Sequence, residues 1–329
     1  MNLNNNTLLT ENIKSKSNSK NGFVFILKNY AVALVLLVII IVVSLMSPNF
    51  LTANNFQNIL KQVSVVGILA CGSAFVIING MIDLSVGSII SLTGVLYVML
   101  YDQIGLIPAI ILCLLVGAAC GLLSGSIISS IKGNMGVSFI VTYGMQTIIA
   151  AFAILVSGGT FKKGALDDPQ FMAIGYGFGP ILIFLIVVVI CQFFLIKTKP
   201  GRRIYFIGTN EEASRLTGLH TKLYRTLVFV LSGLFAALAA VVMVSRVGSA
   251  STTAGDGYEM DAIAAIVVGG VSLSGGTGSI LNVLLGVVLL GVLSNALNLL
   301  GVSAYPQLII RGALIVVAVL IDVMSKRKN

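Results

Sequence analysis

Apolar residues in this chain recur in runs of about 18 or more, the length that a helix needs to cross a lipid bilayer. The runs lie near 30–47, 63–80, 86–101, 106–131, 137–156, 179–197, 223–246, 260–273, 279–300 and 305–323. A helix hides its backbone N–H and C=O groups from hydrocarbon, which an open segment cannot do. The runs do not alternate polar with apolar, so a β-barrel is excluded. The expected fold is an all-α polytopic membrane protein of about ten transmembrane helices. Composition agrees, since 57% of residues are hydrophobic and only 9% are charged, against about a quarter charged in soluble domains. Several segments are short or interrupted, notably 260–273 with Gly269-Gly270, and such segments can fail to span.

Charge orients the runs. The net charge is +9, and most cations flank apolar segments, so the positive-inside rule explains them better than nucleic-acid binding does. Residues 1–22 are rich in Asn, Ser and Lys, and the tail 1–28 is expected to be disordered and cytoplasmic. Lys14, Lys16, Lys20 and Lys28 precede the first run, and no small-residue cleavage site follows it, so that run reads as a retained helix. A permease-like membrane domain is expected over 29–324, with a basic cytoplasmic tail at 325–329. The stretch 197–222 carries Lys197, Lys199, Arg202, Arg203, Arg215 and Lys222, with Arg225 just beyond, and is placed in the cytoplasm. An even number of spans puts both termini there. Lys132 and Lys326-Arg327-Lys328 then also lie inside, and only Lys61, Lys162, Lys163 and Arg246 lie outside. An odd number would leave the basic carboxy terminus outside. Arg311 falls within the last run.

Several chemistries are excluded. Cys71, Cys113, Cys120 and Cys191 all sit in apolar runs without CxxC spacing, which fits small packing residues and not a metal or redox site. His220 is the single histidine, so neither a histidine-based metal cluster nor a triad can be built. No GxxxxGK[ST] occurs, so the chain has no P-loop of its own.

The central polar stretch holds a short helix signal near 209–218. Thr209 or Asn210 can cap it, Glu211 and Glu212 suit its first turn, and Gly218 follows its last. Ala213, Leu216 and Leu219 give it an apolar side. Such a helix has no core of its own. It can lie on the bilayer or dock into a soluble partner, and the partner is favoured.

Other motifs have bland and functional readings side by side. Asn79-Gly-Met-Ile-Asp-Leu-Ser-Val-Gly87 joins two spans, and Asp83 and Ser85 can cap the following helix while serving as a gate. Gly117, Gly121 and Gly125 share one helix face, a packing signal in lipid. Asp256, Glu259 and Asp261 cluster at the expected outer mouth of the short segment, where they can bind sugar hydroxyls, contact an external protein or cap the helix. Gly275-Gly276-Thr-Gly278 reads as a tight cytoplasmic turn and not as a phosphate loop. Asn295 and Asn298 share a face and can either line a solute path or bond between helices. Gln307 and Arg311 are the other polar groups in or near the last two spans. Gly121, Ser129 and Gly136-Val-Ser138 reappear at constant spacing as Gly286, Ser294 and Gly301-Val-Ser303, five spans on, which would make an inverted repeat.

Taken together, these residues carry a resemblance. Gly201-Arg-Arg-Ile-Tyr-Phe-Ile-Gly208 through Asn210 and Arg215-Leu-Thr-Gly218 is similar to the coupling segment of bacterial sugar ABC transporter permeases of the ribose type. Gly80 to Gly87, Gly257 to Gly270 and Asn298 to Ser303 resemble that family too, and the likeness spans roughly 30 to 323. Asn79 departs from the family's paired glycines, a matter of packing more than of identity. The resemblance implies the ten-helix fold of vitamin B12-type importers with inverted repeats. It implies a multi-pass protein of the bacterial cytoplasmic membrane, paired with a second copy of itself. It also implies an ATP-binding-cassette subunit below, which holds ATP and Mg, and an extracytoplasmic sugar-binding protein above. This chain itself then needs no cofactor and is not an enzyme. Gly208, Asn210, Glu211, Glu212, Ala213, Leu216 and Gly218 are the expected coupling residues. Asn79, Asp83, Ser85, Asp261, Asn295 and Asn298 are the expected path or gate residues, and Asp256 and Glu259 the expected binding-protein contacts. Permeases for nucleosides or branched-chain amino acids are the near alternative. An ion-coupled transporter is the distant one, since it would be expected to show intramembrane acids or a histidine relay.

Overall fold

A computed structural model describes residues 32–326. The expected disordered tail 1–28 and residues 327–329 of the basic tail lie outside the described residues. In chain order the elements are α1 (Val32–Met46), α2 (Ala53–Ile78), α3 (Val86–Ile104), α4 (Leu106–Ser130), α5 (Met135–Ser157), β1 (Lys162–Lys163), α6 (Pro169–Gly175) and α7 (Gly179–Lys197). They continue with α8 (Lys199–Thr209), α9 (Glu211–Leu216), α10 (Thr221–Val247), β2 (Ser249–Ala250), α11 (Tyr258–Val268), α12 (Ile280–Leu299) and α13 (Ala304–Lys326).

Seven helices among the described residues are long and apolar enough to cross a membrane, namely α2, α3, α4, α5, α7, α10 and α12. Each of the ten apolar runs read from the sequence contains a helix. Of the three runs whose helices fall outside those seven, 260–273 holds the shortest. Its helix α11 has 11 residues, roughly 16 Å at 1.5 Å per residue, about half of a hydrocarbon core. It stops at Gly269-Gly270, where Gly270 takes a φ of +92°, a turn that an L side chain resists. The first helix of the second run begins ten positions before the expected boundary, because Thr52 caps it by accepting from the Asn55 N–H. Asn134 and Ser279 cap α5 and α12 in the same way.

The interior is built on α2 and α10. These two pack on each other, and each gathers further helices: α10 holds α3 and α4, and α2 holds α11 and α12. The α3 helix packs on α4 and α5, while α11 packs on α12 and α13. The two halves of the bundle thus have matching contacts. The outward faces of α4, α5, α7 and α13 carry exposed Leu115, Ile140, Val189 and Ile309, as lipid-facing or partner-facing helices should.

The predicted glycine face on α4 is where α10 approaches. A Cβ on Gly117 would run into the Gly233 carbonyl of α10, and one on Gly121 into the Phe229 carbonyl. Association of helices in lipid depends on this close backbone packing. A second tie is polar. Asn55 of α2 and Asn295 of α12 exchange amide hydrogen bonds of 3.0 and 2.7 Å, both residues buried. Of the two readings open for Asn295, these bonds fit the interhelical one. At the end of the bundle away from the basic loop, β1 pairs antiparallel with β2. There Phe171 of α6 stacks on Tyr97, with centroids 5.3 Å apart.

Gly121→Leu is expected to push α4 off α10 and to destabilise the protein by about 1–3 kcal/mol, the usual cost of overpacking. Gly144→Ala, whose Cβ would meet nothing within 4 Å, should leave stability unchanged. Thermal unfolding of the two variants in the same lipid nanodiscs checks the pair. Equal melting temperatures would mean that the glycine contact does not hold the helices together.

Candidate functional site

The basic stretch forms two helices where the sequence predicts one. Thr198 caps α8 by accepting from the Gly201 N–H at 3.1 Å, and Pro200 sits in the first turn. Proline there is preset for a helix start, a signal that the reading of 209–218 passed over. Asn210 ends α8 and caps α9, accepting from the Ala213 N–H at 2.9 Å. Of the two caps considered, Asn210 is the one used. Glu211 and Glu212 occupy the first turn of α9, and Gly218 follows at φ +81°.

The elbow of α8 and α9 is clamped to the bundle from beneath. Ile204 and Ile207 of α8 are buried. Gly208 lies against the end of α2 so closely that a Cβ would strike the Ile78 carbonyl. That same carbonyl accepts from the Gly276 N–H at 2.8 Å. The Asn79 amide donates to the Ile204 carbonyl at 3.4 Å, and the Tyr205 hydroxyl to the Gly278 carbonyl at 2.7 Å. Burial pushes the Tyr205 hydroxyl pKa up. The Gly275-Gly276 turn is therefore a seat for α8, consistent with its reading as a tight turn. On α9, Glu211 pairs with the buried Arg225 of α10 at 2.5 Å. Arg203 donates to the Tyr224 hydroxyl and lies over its ring, 5.5 Å from the centroid. The opposite side of the elbow is open. Leu216 is 80% exposed, and Phe206, Glu212, Ala213 and Arg215 are exposed with it.

From this seat a non-helical coil, residues 79–85, leads into α3 and is buried almost throughout. Buried backbone needs partners, and neighbouring helices supply them. The Ile82 N–H donates to Ser138 Oγ and the Leu84 N–H to Thr142 Oγ1, both at 3.1 Å and both from α5. Asp83 accepts from the Ser85 N–H at 3.0 Å, from Ser85 Oγ at 2.6 Å, and from Ser232 Oγ of α10 at 2.9 Å. Neither side chain caps α3 as expected: Asp83 takes the Ser85 N–H one residue ahead of the helix, and Ser85 makes no cap bond of its own. The sequence marks Ser138 only as part of the repeat and does not mark Thr142 or Ser232, since lone hydroxyls in apolar helices are too common to flag. Asn79, Asp83 and Ser85 are brought together; Asp261, Asn295 and Asn298 lie elsewhere.

The acids near α11 part company. Asp256 is exposed, whereas Glu259 is 7% exposed. Its carboxylate lies on Gly87 and takes a 3.5 Å hydrogen bond from Gln146 of α5. Burial removes Glu259 from the outer surface where the sequence reading set it. Asp261 pairs with Arg311 of α13 at 3.0 Å, a pairing of distant residues that the sequence does not announce. Asn298 accepts from Gln307 at 2.8 Å across the α12–α13 turn, which again favours an interhelical bond. At the β1–β2 end, the Tyr101 hydroxyl donates to Asp168 at 2.5 Å. That bond, aided by the Gln170 N–H, holds the Asp168 carboxyl below the usual range.

A bundle of membrane-length helices with a clamped, exposed amphipathic elbow fits a membrane transport subunit. Residues 55–319 match the family described as branched-chain amino acid transport system / permease component, and the chain belongs to that family. The chain is 41% identical to ribose import permease protein RbsC of Escherichia coli K12 over 295 residues, 87% of this chain and 91% of that protein. It is 39% identical to RbsC of Bacillus subtilis over 293 residues, 87% and 90% of the two chains. With D-allose transport system permease protein AlsC of E. coli it shares 35% identity over 322 residues, 95% and 98% of the two. No solved structure matches the chain.

Asp83→Ala should leave the Ser85 N–H and Ser232 without an acceptor and cost about 1–3 kcal/mol, with Thr142→Val costing about 1 kcal/mol. Thermal unfolding in nanodiscs reads both. Unchanged melting of the two variants would show that the coil does not need these bonds.

Proposed function

We propose that the chain is the membrane-spanning subunit of an ATP-binding-cassette importer for a simple sugar, with ribose or a related pentose or hexose as solute. The near full-length identity to ribose import permeases carries the substrate class. The elbow carries the mechanism. A partner that grips the exposed Leu216, Glu212 and Phe206 pulls on α8, which is seated on the end of α2 and on the coil 79–85. The coil in turn holds α5 through Ser138 and Thr142. ATP hydrolysis on the partner shifts these packed bodies between outward-open and inward-open states.

The further parts of this reading follow the same logic. The ten-span, vitamin B12-importer-like fold fits the matching contacts, in which α2, α3, α4 and α5 correspond to α10, α11, α12 and α13. An offset of five spans makes such a repeat inverted. The basic loop and both termini face the cytoplasm of a bacterial cell, and the β1–β2 end faces out. Asp256, exposed at that end, is a contact for the external sugar-binding protein. A second copy of the chain completes the channel. ATP and Mg belong to the partner, and this chain catalyses no reaction. The buried Asp83 and Glu259 are held within the helix packing, which supports structural roles over an ion relay.

The assembled complex in proteoliposomes, with its ATP-binding subunit and binding protein, should accumulate D-ribose only when ATP is supplied. D-allose and L-arabinose are offered in parallel, and preference for either reassigns the solute. Accumulation by the permease alone, without nucleotide hydrolysis, would end the reading. Glu212→Lys combined with Leu216→Asp alters only exposed positions. It should lower ATP-driven uptake at least about tenfold, a loss of roughly 1.4 kcal/mol of coupling, at unchanged thermal stability. Wild-type uptake by that variant would detach the elbow from coupling.

A further inference from the structure

Four helices of one chain, α2, α11, α12 and α13, enclose with the end of α10 a cavity of about 560 Å³, within the range of small-molecule sites. Its wall is mainly aliphatic apart from Tyr258, and six further polar side chains interrupt it: Gln62, Arg246, Asp256, Asp261, Ser294 and Arg311. Two of these are already arranged as a fork. Arg311 Nη1 reaches both oxygens of Asp261 at 3.1 and 3.0 Å, and Nη2 donates to Ser294 Oγ at 3.0 Å. The Asp261 side chain is still 29% exposed, so lone pairs remain free on the cavity side.

The other three polar groups are unspent. Among the described residues the side chains of Gln62, Arg246 and Asp256 make no hydrogen bond and no ion pair with protein. A partly buried guanidinium with five unpaired N–H donors beside an aliphatic wall is costly unless something in the cavity accepts from it. Summed over the lining, two arginines and two aspartates cancel. A net-neutral site offering donors and acceptors beside an apolar wall suits a neutral polyhydroxylated molecule, whose hydroxyls both donate and accept and whose C–H faces are apolar. It disfavours an anion, which Asp256 and Asp261 repel, and a cation, which Arg246 and Arg311 repel.

We propose that this cavity is a binding site for the neutral sugar within a single protomer, with Arg246 and Gln62 as hydroxyl partners and the Asp261–Arg311 pair as a fixed fork. The site rests on the sugar-importer reading and deepens it, giving each copy of the chain its own solute site.

Gly312 lines the cavity, and a Cβ there would meet nothing within 4 Å. In the assembled complex in nanodiscs, Gly312→Cys is reacted with a small methanethiosulfonate reagent, and the unsubstituted complex gives the background from the native cysteines. D-ribose at about twice its Kd should slow labelling about threefold, the protection given by two-thirds occupancy, and Arg246→Gln in the same background should abolish the slowing. Should Gly312→Cys not assemble, Ser294→Cys, nearly isosteric, gives the same readout. If the wild-type complex imports D-ribose but labelling is indifferent to it, the cavity site is overturned and the importer reading stands. Equal slowing by glycine betaine, a non-sugar osmolyte, also overturns the site. If the complex imports no sugar at all, the importer reading fails and the site falls with it.

Discussion

Backbone that leaves the helix inside a membrane protein must find hydrogen-bond partners within the protein, because lipid offers none. The coil 79–85 is where this chain meets that demand most fully. Two of its N–H groups are answered by hydroxyls of α5, others by carbonyls at the end of α2, and its one carboxylate gathers a backbone N–H and two serine hydroxyls. These bonds draw α2, α3, α5 and α10 to one point. The elbow lies against the near side of that point through Gly208 and Asn79. The polar groups around this coil are therefore not a scatter of tolerated residues. They lie along the line from the basic loop to α5.

The same economy governs several other polar groups of the bundle. Asn55 and Asn295 satisfy each other, Asn298 accepts from Gln307, and Arg311 is fixed between Asp261 and Ser294. Removing one member of such a set strands the other in a low-dielectric interior, which is costlier than never having had the pair. The cavity beside α13 differs, since Gln62, Arg246 and Asp256 line it with side chains that make no hydrogen bond or ion pair among the described residues.

Much of the fold was legible because membrane helices advertise themselves by length and apolar content. The glycine face of α4 was legible too, since three glycines four apart have few other uses in lipid. The Asn210 cap and the acids of α9 followed from local rules that act within one turn. What failed was anything that joins residues far apart in sequence. Hydroxyls such as Ser138 and Ser232 carry no local mark of the distant groups that they satisfy. Glu259 reads as a mouth residue by position, yet helix α11 is short enough that its first turn ends deep in the packing, against Gly87 of α3. Arg311 was visible as an intramembrane charge, but its partner was not. The helix α8 was missed because apolar periodicity over one short amphipathic segment is weaker evidence than its own proline and threonine start.

The contact between α4 and α10 has a mechanical corollary. With glycines at the crossing, main chain rests on main chain, and no layer of methyl groups lies between them to be sheared. Two rods joined in this way slide poorly and behave as a single beam. Any hinge in the molecule is then displaced to seams lined by pliant side chains, and the α4–α10 beam becomes the fixed frame against which the remaining helices swing.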